Sequence, residues 1–427
     1  MKEFITAPKD AWKFYLVNGA FAASRMGIGA TSVVFMLSRG LKFSDVALIK
    51  IIQGVVVFFS EVPTGLVADT WGRKVSVLCA CAAGVLSFFA FYSGNSLPWF
   101  VVGEIFNALT IAFWSGAFEA LVVDTYRERS GEGHFLEFIF ARMSVFEAGA
   151  TMVGGLLGGY IGKFDVSWPF LFSASLMAIT ACLLLVLVKE PPQSIILTQV
   201  AGLVARTMNV LKKIETGFRQ SVREGIQNPR LKAFFYIQIS IQFALQPVFH
   251  YWQPYFTNLN LNVTTAELGF IFFGYVGTQL AAHWGVSELV RRQLVKPEGI
   301  LFIEITLMTL GFFVMSVTQS YALAIGAFLV MQGSSGSLRN LLNASVNRTI
   351  SSSQRATILS SISFISRVGM ILSLLIVKWC LAYVSPSHLY LLSLSGSITL
   401  FPLYSRWIRA SQNFTADACR SAACALP

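Results

Sequence analysis

The chain has 427 residues, of which 55% are hydrophobic and 12% charged. That is about half the charged share of a soluble domain, which excludes a cytosolic enzyme, a disordered chain and a nucleic-acid-binding domain. The formal charge is nonetheless +11, with 32 Lys and Arg against 21 Asp and Glu, so the position of the basic residues becomes the informative quantity.

A bilayer-spanning helix takes about 20 mainly apolar residues, and twelve such runs follow one another along the chain. The first six are Trp12–Met36, Asp45–Ala68, Val75–Phe91, Leu97–Val123, Phe138–Ile161 and Trp168–Val188. The second six are Leu231–Phe256, Ala266–Val290, Ile300–Val317, Tyr321–Leu342, Ala356–Cys380 and Leu389–Trp407. Strands of a membrane β-barrel are shorter and alternate in polarity, so the runs predict helices. The first run lacks a small-residue cleavage site and reads as a retained span.

The single long hydrophilic connection, 189–230, opens with Glu190-Pro191-Pro192, which stops a helix. It divides the chain into residues 1–188, a linker over 189–230, residues 231–408 and a tail over 409–427. The linker holds Lys212, Lys213, Arg219 and Arg223, the pattern of an amphipathic segment on the inner leaflet. With the amino terminus inside, 24 of the 32 basic residues fall on the inner side and only Arg39, Lys42, Lys163 and Lys378 on the other. The positive-inside rule then places both termini in the cytoplasm. The fold class expected is an all-α membrane protein of twelve spans in two six-helix halves, in the inner or plasma membrane.

The turn after span two reads Gly65-Leu66-Val67-Ala68-Asp69-Thr70-Trp71-Gly72-Arg73-Lys74. It resembles the loop 2–3 signature of the major facilitator superfamily, G-x-L-A-D-R-x-G-R-K, with Thr70 and Val67 as departures. In chemical terms Gly65 permits close helix approach, Gly72 supplies a positive φ, and Asp69 suits a helix N-terminus. The resemblance implies a gating contact that breaks as the inner side opens. It gives Arg73 a partner in Asp124 at the end of span four, and Asp69 a partner in Arg355 at the start of span eleven. Loop 8–9, Gly285 to Arg292, is a weaker copy with an acid, Glu288, and a basic pair.

Span five carries Ala150-Thr151-Met152-Val153-Gly154-Gly155-Leu156-Leu157-Gly158-Gly159. This looks like the superfamily's antiporter signature, g-x-x-x-G-P-x-x-G-G, with Gly155 in place of the proline. The resemblance implies export. Gly154, Gly155, Gly158 and Gly159 also fit ordinary close helix packing, and the family's arginine motif in span four is absent, Glu104 and Asn107 standing there.

Charged groups inside a bilayer cost at least about 2.5–3.5 kcal/mol on insertion scales and mark pathways or pairs. The candidates for a substrate and proton cavity are Arg25, Glu104, Arg142 and Glu147, with Glu104 and Glu147 as proton carriers and Arg25 facing an anion or an internal carboxylate. Glu61 and Glu119 lie near the membrane edge, and Glu304 and Arg367 lie in later spans. In span seven Gln238, Gln242 and Gln246 repeat every four residues and form a polar stripe. Pro247 and Pro254 are expected to break its outer half, and Tyr251, Trp252 and Tyr255 fit either an interfacial belt or stacking walls for a ligand.

No nucleotide motif, metal cluster or nucleophile–base set is visible, so no cofactor, metal or enzyme activity is expected. The six cysteines read as small core residues. The expected function is secondary transport of a small molecule by a monomer, driven by protons: export of a drug-like or siderophore-like compound. Uptake of a polar nutrient remains the alternative, as does, in another class, a sensor or assembly protein on the same scaffold.

Overall fold

The computed structural model describes residues 8, 10–126, 134–190, 227, 229–347, 355–384 and 388–410. All regular structure among them is helical. In order, the helices are α1 (Trp12–Met26), α2 (Ser32–Ser38), α3 (Phe43–Trp71), α4 (Arg73–Ser93), α5 (Leu97–Trp114), α6 (Ala117–Tyr126), α7 (His134–Gly162) and α8 (Trp168–Leu187). They continue with α9 (Pro229–Leu259), α10 (Thr265–Arg291), α11 (Pro297–Val317), α12 (Tyr321–Asn347), α13 (Arg355–Cys380) and α14 (Leu389–Ile398). After Thr399 a final helix, α15, covers 400–410. Taking α1 with α2, α5 with α6 and α14 with α15, these are the twelve expected spans. Among the described residues seven helical stretches, α5 with α6 counted as one, are long and apolar enough to cross a membrane on that ground alone. Large apolar side chains, among them Val186, Trp284 and Trp379, stand fully outward, a surface that only lipid covers without cost.

Local chemistry sets the helix starts. Asp45 accepts the Lys42 amide at 2.8 Å ahead of α3, and Glu267 accepts the Thr264 amide at 2.8 Å ahead of α10. Thr264-Thr265-Ala266-Glu267 is a capping box. Proline occupies the first turn of α5, α8 and α11, where its missing N–H is no loss.

The chain separates into two compact units, Met1–Leu211 with Asn260–Val276, and Lys212–Leu259 with Gly277–Pro427. The opening turns of α10 therefore group with the first eight helices. In the first unit, Phe14, Ala68, Val77, Phe118, Leu121, Tyr126 and Leu184 close one apolar core across α1, α3, α4, α6 and α8. In the second, Trp252 stacks on Phe328 at 5.6 Å, and Tyr255 lies 4.5 Å from Tyr390.

Three departures from the sequence-based expectations share one physical basis. Spans one and four are each broken, whereas span seven is not. Span one stops at Met26 and resumes at Ser32. Span four stops at Trp114 and resumes at Ala117 through Gly116, whose φ of +76° is open to glycine at little cost. A break orphans carbonyls, and lipid offers no donor for them. In span four a neighbouring hydroxyl supplies it: Ser76 Oγ donates to the Phe113 carbonyl at 2.9 Å, and Thr64 Oγ1, 2.8 Å from the Ser60 carbonyl of its own helix, lies 3.1 Å from that of Ala112. In α9, Pro247 and Pro254 sit inside one continuous helix. Pro247 has no N–H for the Phe243 carbonyl four residues back, and Ser373 Oγ of α13 donates to it at 3.1 Å.

Candidate functional site

The break in span four forms one wall of a cavity of about 270 Å³ in the first unit. Trp114, Ser115 and Gly116 of the break face Asn18, Phe21 and Arg25 of α1 and Ser144 and Glu147 of α7, with Glu119 on the first turn of α6. Asn18 Nδ2 donates to Glu147 Oε2 at 3.0 Å. Phe21, Trp114 and Phe118 form a stack, with centroids 3.5 Å and 4.5 Å apart and nearly parallel rings. Arg25 is half-buried, and its guanidinium lies 5.9 Å from the Phe21 centroid. Among the described residues no carboxylate comes within ion-pair distance of it, although Glu104 and Glu147 are near enough to act on it electrostatically.

The expected cavity residues therefore separate. Arg25 and Glu147 meet in one cavity. Glu104 is fully buried between α3 and α5, where Lys50 Nζ lies 2.9 Å and Asn107 Nδ2 3.0 Å from its Oε1. Its Oε2 has no hydrogen-bond partner among the described residues. Arg142 is exposed, with its guanidinium 4.4 Å over the Phe138 ring. In the second unit Gln246 Nε2 donates to Gln242 at 3.1 Å and His250 Nε2 lies 3.1 Å from Gln246 Oε1, so Gln242, Gln246 and His250 form a ladder, whereas Gln238 Nε2 donates to Asn343 at 3.4 Å. Trp252 is only 4% exposed and Tyr251 and Tyr255 less. They form core packing, neither an interfacial belt nor an open ligand wall, because α9 turns this face toward Phe328 and Tyr390.

The loop 2–3 motif is a compact ionic knot. Arg73 Nη1 lies 2.6 Å from Asp69, and its Nε is 3.9 Å from Asp124. Gly72 has φ +108° and joins the end of α3 at Trp71 to the start of α4 at Arg73. Glu190 accepts the Arg73 amide at 2.6 Å, placing a carboxylate on the N-terminus of α4. Lys74 Nζ caps α8 through the Leu185 and Val188 carbonyls at 3.1 Å and 2.6 Å. Gly65 makes no close approach: a Cβ there meets nothing within 4 Å. The Arg355 side chain lies outside the described residues, as do 191–226 and 411–427. In the corresponding turn after α10, Glu288 binds Arg291 at 2.6 Å and also Arg292.

The α7 glycines divide between two neighbours. A methyl group at Gly154 or Gly158 overlaps the α1 backbone at Ala23 or Gly27. One at Gly155 or Gly159 overlaps Phe272 or the Gly269 backbone of α10.

Several of these residues escape a pattern-based reading. Asn18 and Lys50 are single polar residues in apolar runs, and that isolation is their only signal. Glu190 looks like a helix stop until its contact with the Arg73 amide is seen. The pair of Glu304 with Ser337 at 2.8 Å, and that of His283 with Asn340 at 2.6 Å, join α11 and α10 to α12 across sequence gaps that no local motif spans.

Six spans in each half of the chain, broken helices and a polar cavity inside define a polytopic α-helical membrane protein. The chain belongs to the Major Facilitator Superfamily, whose family profile matches residues 14–374. It is 21% identical over 241 residues to an uncharacterized MFS-type transporter, YxaM, of Bacillus subtilis (strain 168), and that match spans 56% of each protein. Among solved structures it is similar to the nucleoside transporter NupG (TM-score 0.74, 12% identity, 94% of this chain and 99% of that one). It is also similar to a POT family transporter in complex with 5-aminolevulinic acid (TM-score 0.70, 14% identity, 96% and 98%). A bacterial homologue of the lysosomal transporter Spinster is a third (TM-score 0.67, 12% identity, 96% and 97%). These likenesses establish the fold.

Proposed function

We propose that this protein is a secondary transporter that moves a small organic molecule across the membrane by alternating access, exporting it in exchange for protons. The observation that carries the reading is the cavity of α1, α5, α6 and α7. Ionisable groups at bilayer depth are costly unless a ligand or pathway uses them, and Arg25 and Glu147 face one space, with Glu119 at its side. Glu147 is the coupling carboxylate. It opens to the cavity, whereas Glu104 is occupied by Lys50. A carboxylate that holds either a proton or a cationic substrate, never both, couples one to the other without a further device. The glycines of α7 support the export direction by their likeness to the antiporter signature.

The Asp69–Arg73–Asp124 knot, with Glu190 beside it, acts as the gate latch in this reading, and Arg355 is its partner in the second half. The excess of basic residues on one side supports cytoplasmic termini in an inner or plasma membrane, and the working unit in this reading is a monomer. Uptake of a polar solute is the second reading, favoured by the amide ladder of Gln242, Gln246 and His250.

Reconstitution into liposomes with an internal pH dye tests the proposal. A solute added against an imposed pH gradient should move protons outward or inward in step with its own flux. Glu147→Gln should abolish the coupling, and Asp69→Asn should cut turnover while leaving binding intact. Absence of proton movement with every solute that binds would remove the antiport reading. Normal turnover in Asp69→Asn would remove the latch.

A further inference from the structure

The charges in the cavity of the first unit are specific enough to choose a class of ligand. Two carboxylates and one guanidinium face a space of about 270 Å³. That is roughly nine waters' worth of liquid volume and just below the usual range for drug-sized ligands, so the occupant has the size of an amino acid or a small arylalkylamine. Among the described residues Glu147 is held only by Asn18, through Oε2, so its Oε1 has no hydrogen bond there. Glu119 is exposed to the same space and has no hydrogen bond or ion pair among the described residues. Arg25 has no carboxylate within ion-pair distance there either, since Glu104 already serves Lys50 and Asn107. The guanidinium therefore keeps its planar set of donors, the geometry that binds a carboxylate through two bonds.

Each simpler ligand leaves something unpaired. An anion meets Arg25 but adds repulsion from Glu119 and Glu147. A cation meets the carboxylates and leaves Arg25 with only the face of Phe21. A neutral polyol or nucleoside gives none of the three charged groups an ionic partner. We propose that the cavity takes a zwitterion: a small organic ammonium whose nitrogen sits against Glu119 and Glu147, whose carboxylate sits on Arg25, and whose flat apolar body lies against Trp114, the half-buried ring of the Phe21–Trp114–Phe118 stack. This rests on the transport reading only for its physiological meaning. The binding site stands on its own geometry.

Thermal unfolding of the full-length protein in detergent, with four probes at matched concentrations, tests the assignment. The probes are L-phenylalanine, phenethylamine (its cation alone), 3-phenylpropionate (its anion alone) and uridine. Phenylalanine should bind at least tenfold more tightly than either half-ligand, and uridine should not shift the melt. Arg25→Gln should bring phenylalanine down to the affinity of phenethylamine and leave phenethylamine unchanged. Glu119→Gln with Glu147→Gln should do the reverse, leaving a residual preference for phenylpropionate. If a variant does not fold, the wild-type ranking alone decides. Phenethylamine, phenylpropionate or uridine binding as well as phenylalanine, or no probe binding at all, overturns the proposal. Vesicle flux separates the two readings. A zwitterion that binds and is never transported removes the transporter and keeps the ligand class. Undiminished flux of an amine that has no carboxylate keeps the transporter and removes the ligand class.

Discussion

The Lys50–Glu104 pair permits a quantitative prediction. Its charged atoms lie 2.9 Å apart, Glu104 is fully buried and the Lys50 side chain is 14% exposed. At an effective dielectric of about 20 the attraction is roughly 6 kcal/mol, against a desolvation cost of several kcal/mol for each ion. The pair as a whole therefore comes close to neutral, and its removal depends on how it is removed. Lys50→Met strands a buried carboxylate and should cost about 3–5 kcal/mol. Lys50→Met combined with Glu104→Gln removes both charges and keeps an acceptor for Asn107, so it should recover to within about 1–2 kcal/mol of wild type. Reversible unfolding in mixed micelles measures both. A single variant within about 0.5 kcal/mol of wild type, the range of ordinary surface changes, would refute the buried-pair argument. So would a double variant no more stable than the single one. If the double variant also retains proton coupling, Glu104 is a structural counter-ion and not the proton carrier.

Three further outcomes follow from the backbone geometry. Gly65→Ala, which meets nothing within 4 Å in a helix interior, should raise stability by up to about 1 kcal/mol, whereas Gly72→Ala, at φ +108° against Glu190, should lower it by at least about 1–2 kcal/mol. Chemical denaturation compares the two. Ser373→Ala strands the Phe243 carbonyl opposite Pro247 and should cost about 1–3 kcal/mol; a loss restored by Pro247→Ala in the double variant checks the mechanism. Asp165 in the α7–α8 turn accepts the Ser167 hydroxyl at 2.6 Å and the Ser167 amide at 2.7 Å, which holds its carboxyl below the usual carboxylate range. Its contribution is present above the ordinary carboxylate value and is lost as the pH falls through the lowered one. The melting temperature of wild type should thus approach that of Asp165→Asn in acid, and a constant gap between them would count against it.

Spans were legible because hydrophobic length is a one-dimensional property. The loop 2–3 motif was legible because Asp69 and Arg73 are close in sequence and meet in space. Breaks were not legible: Gly27, Gly29 and Gly116 are ordinary residues of membrane helices, and a donor on another helix, such as Ser76, is what satisfies a carbonyl at a break. Conversely, the prolines of α9 suggested a break that Ser373 cancels from α13. The charge assignments divided for the same reason. Arg25 and Glu147 were identifiable as costly groups, but the role of Glu104 depends on Lys50, 54 residues away.

The gap at Gly116 has an electrical consequence. An unbroken span would carry one dipole from face to face of the membrane, with its ends in water. Broken at Ser115 and Gly116, it becomes two shorter dipoles in series. The negative end of α5 and the positive end of α6 then point into the same cavity wall. Part of the polarity felt by anything entering is thus written in peptide bonds, close to Glu119 on the first turn of α6. Side-chain replacement can tune that field but cannot erase it. Only a residue that straightens the span, at position 116, would do so.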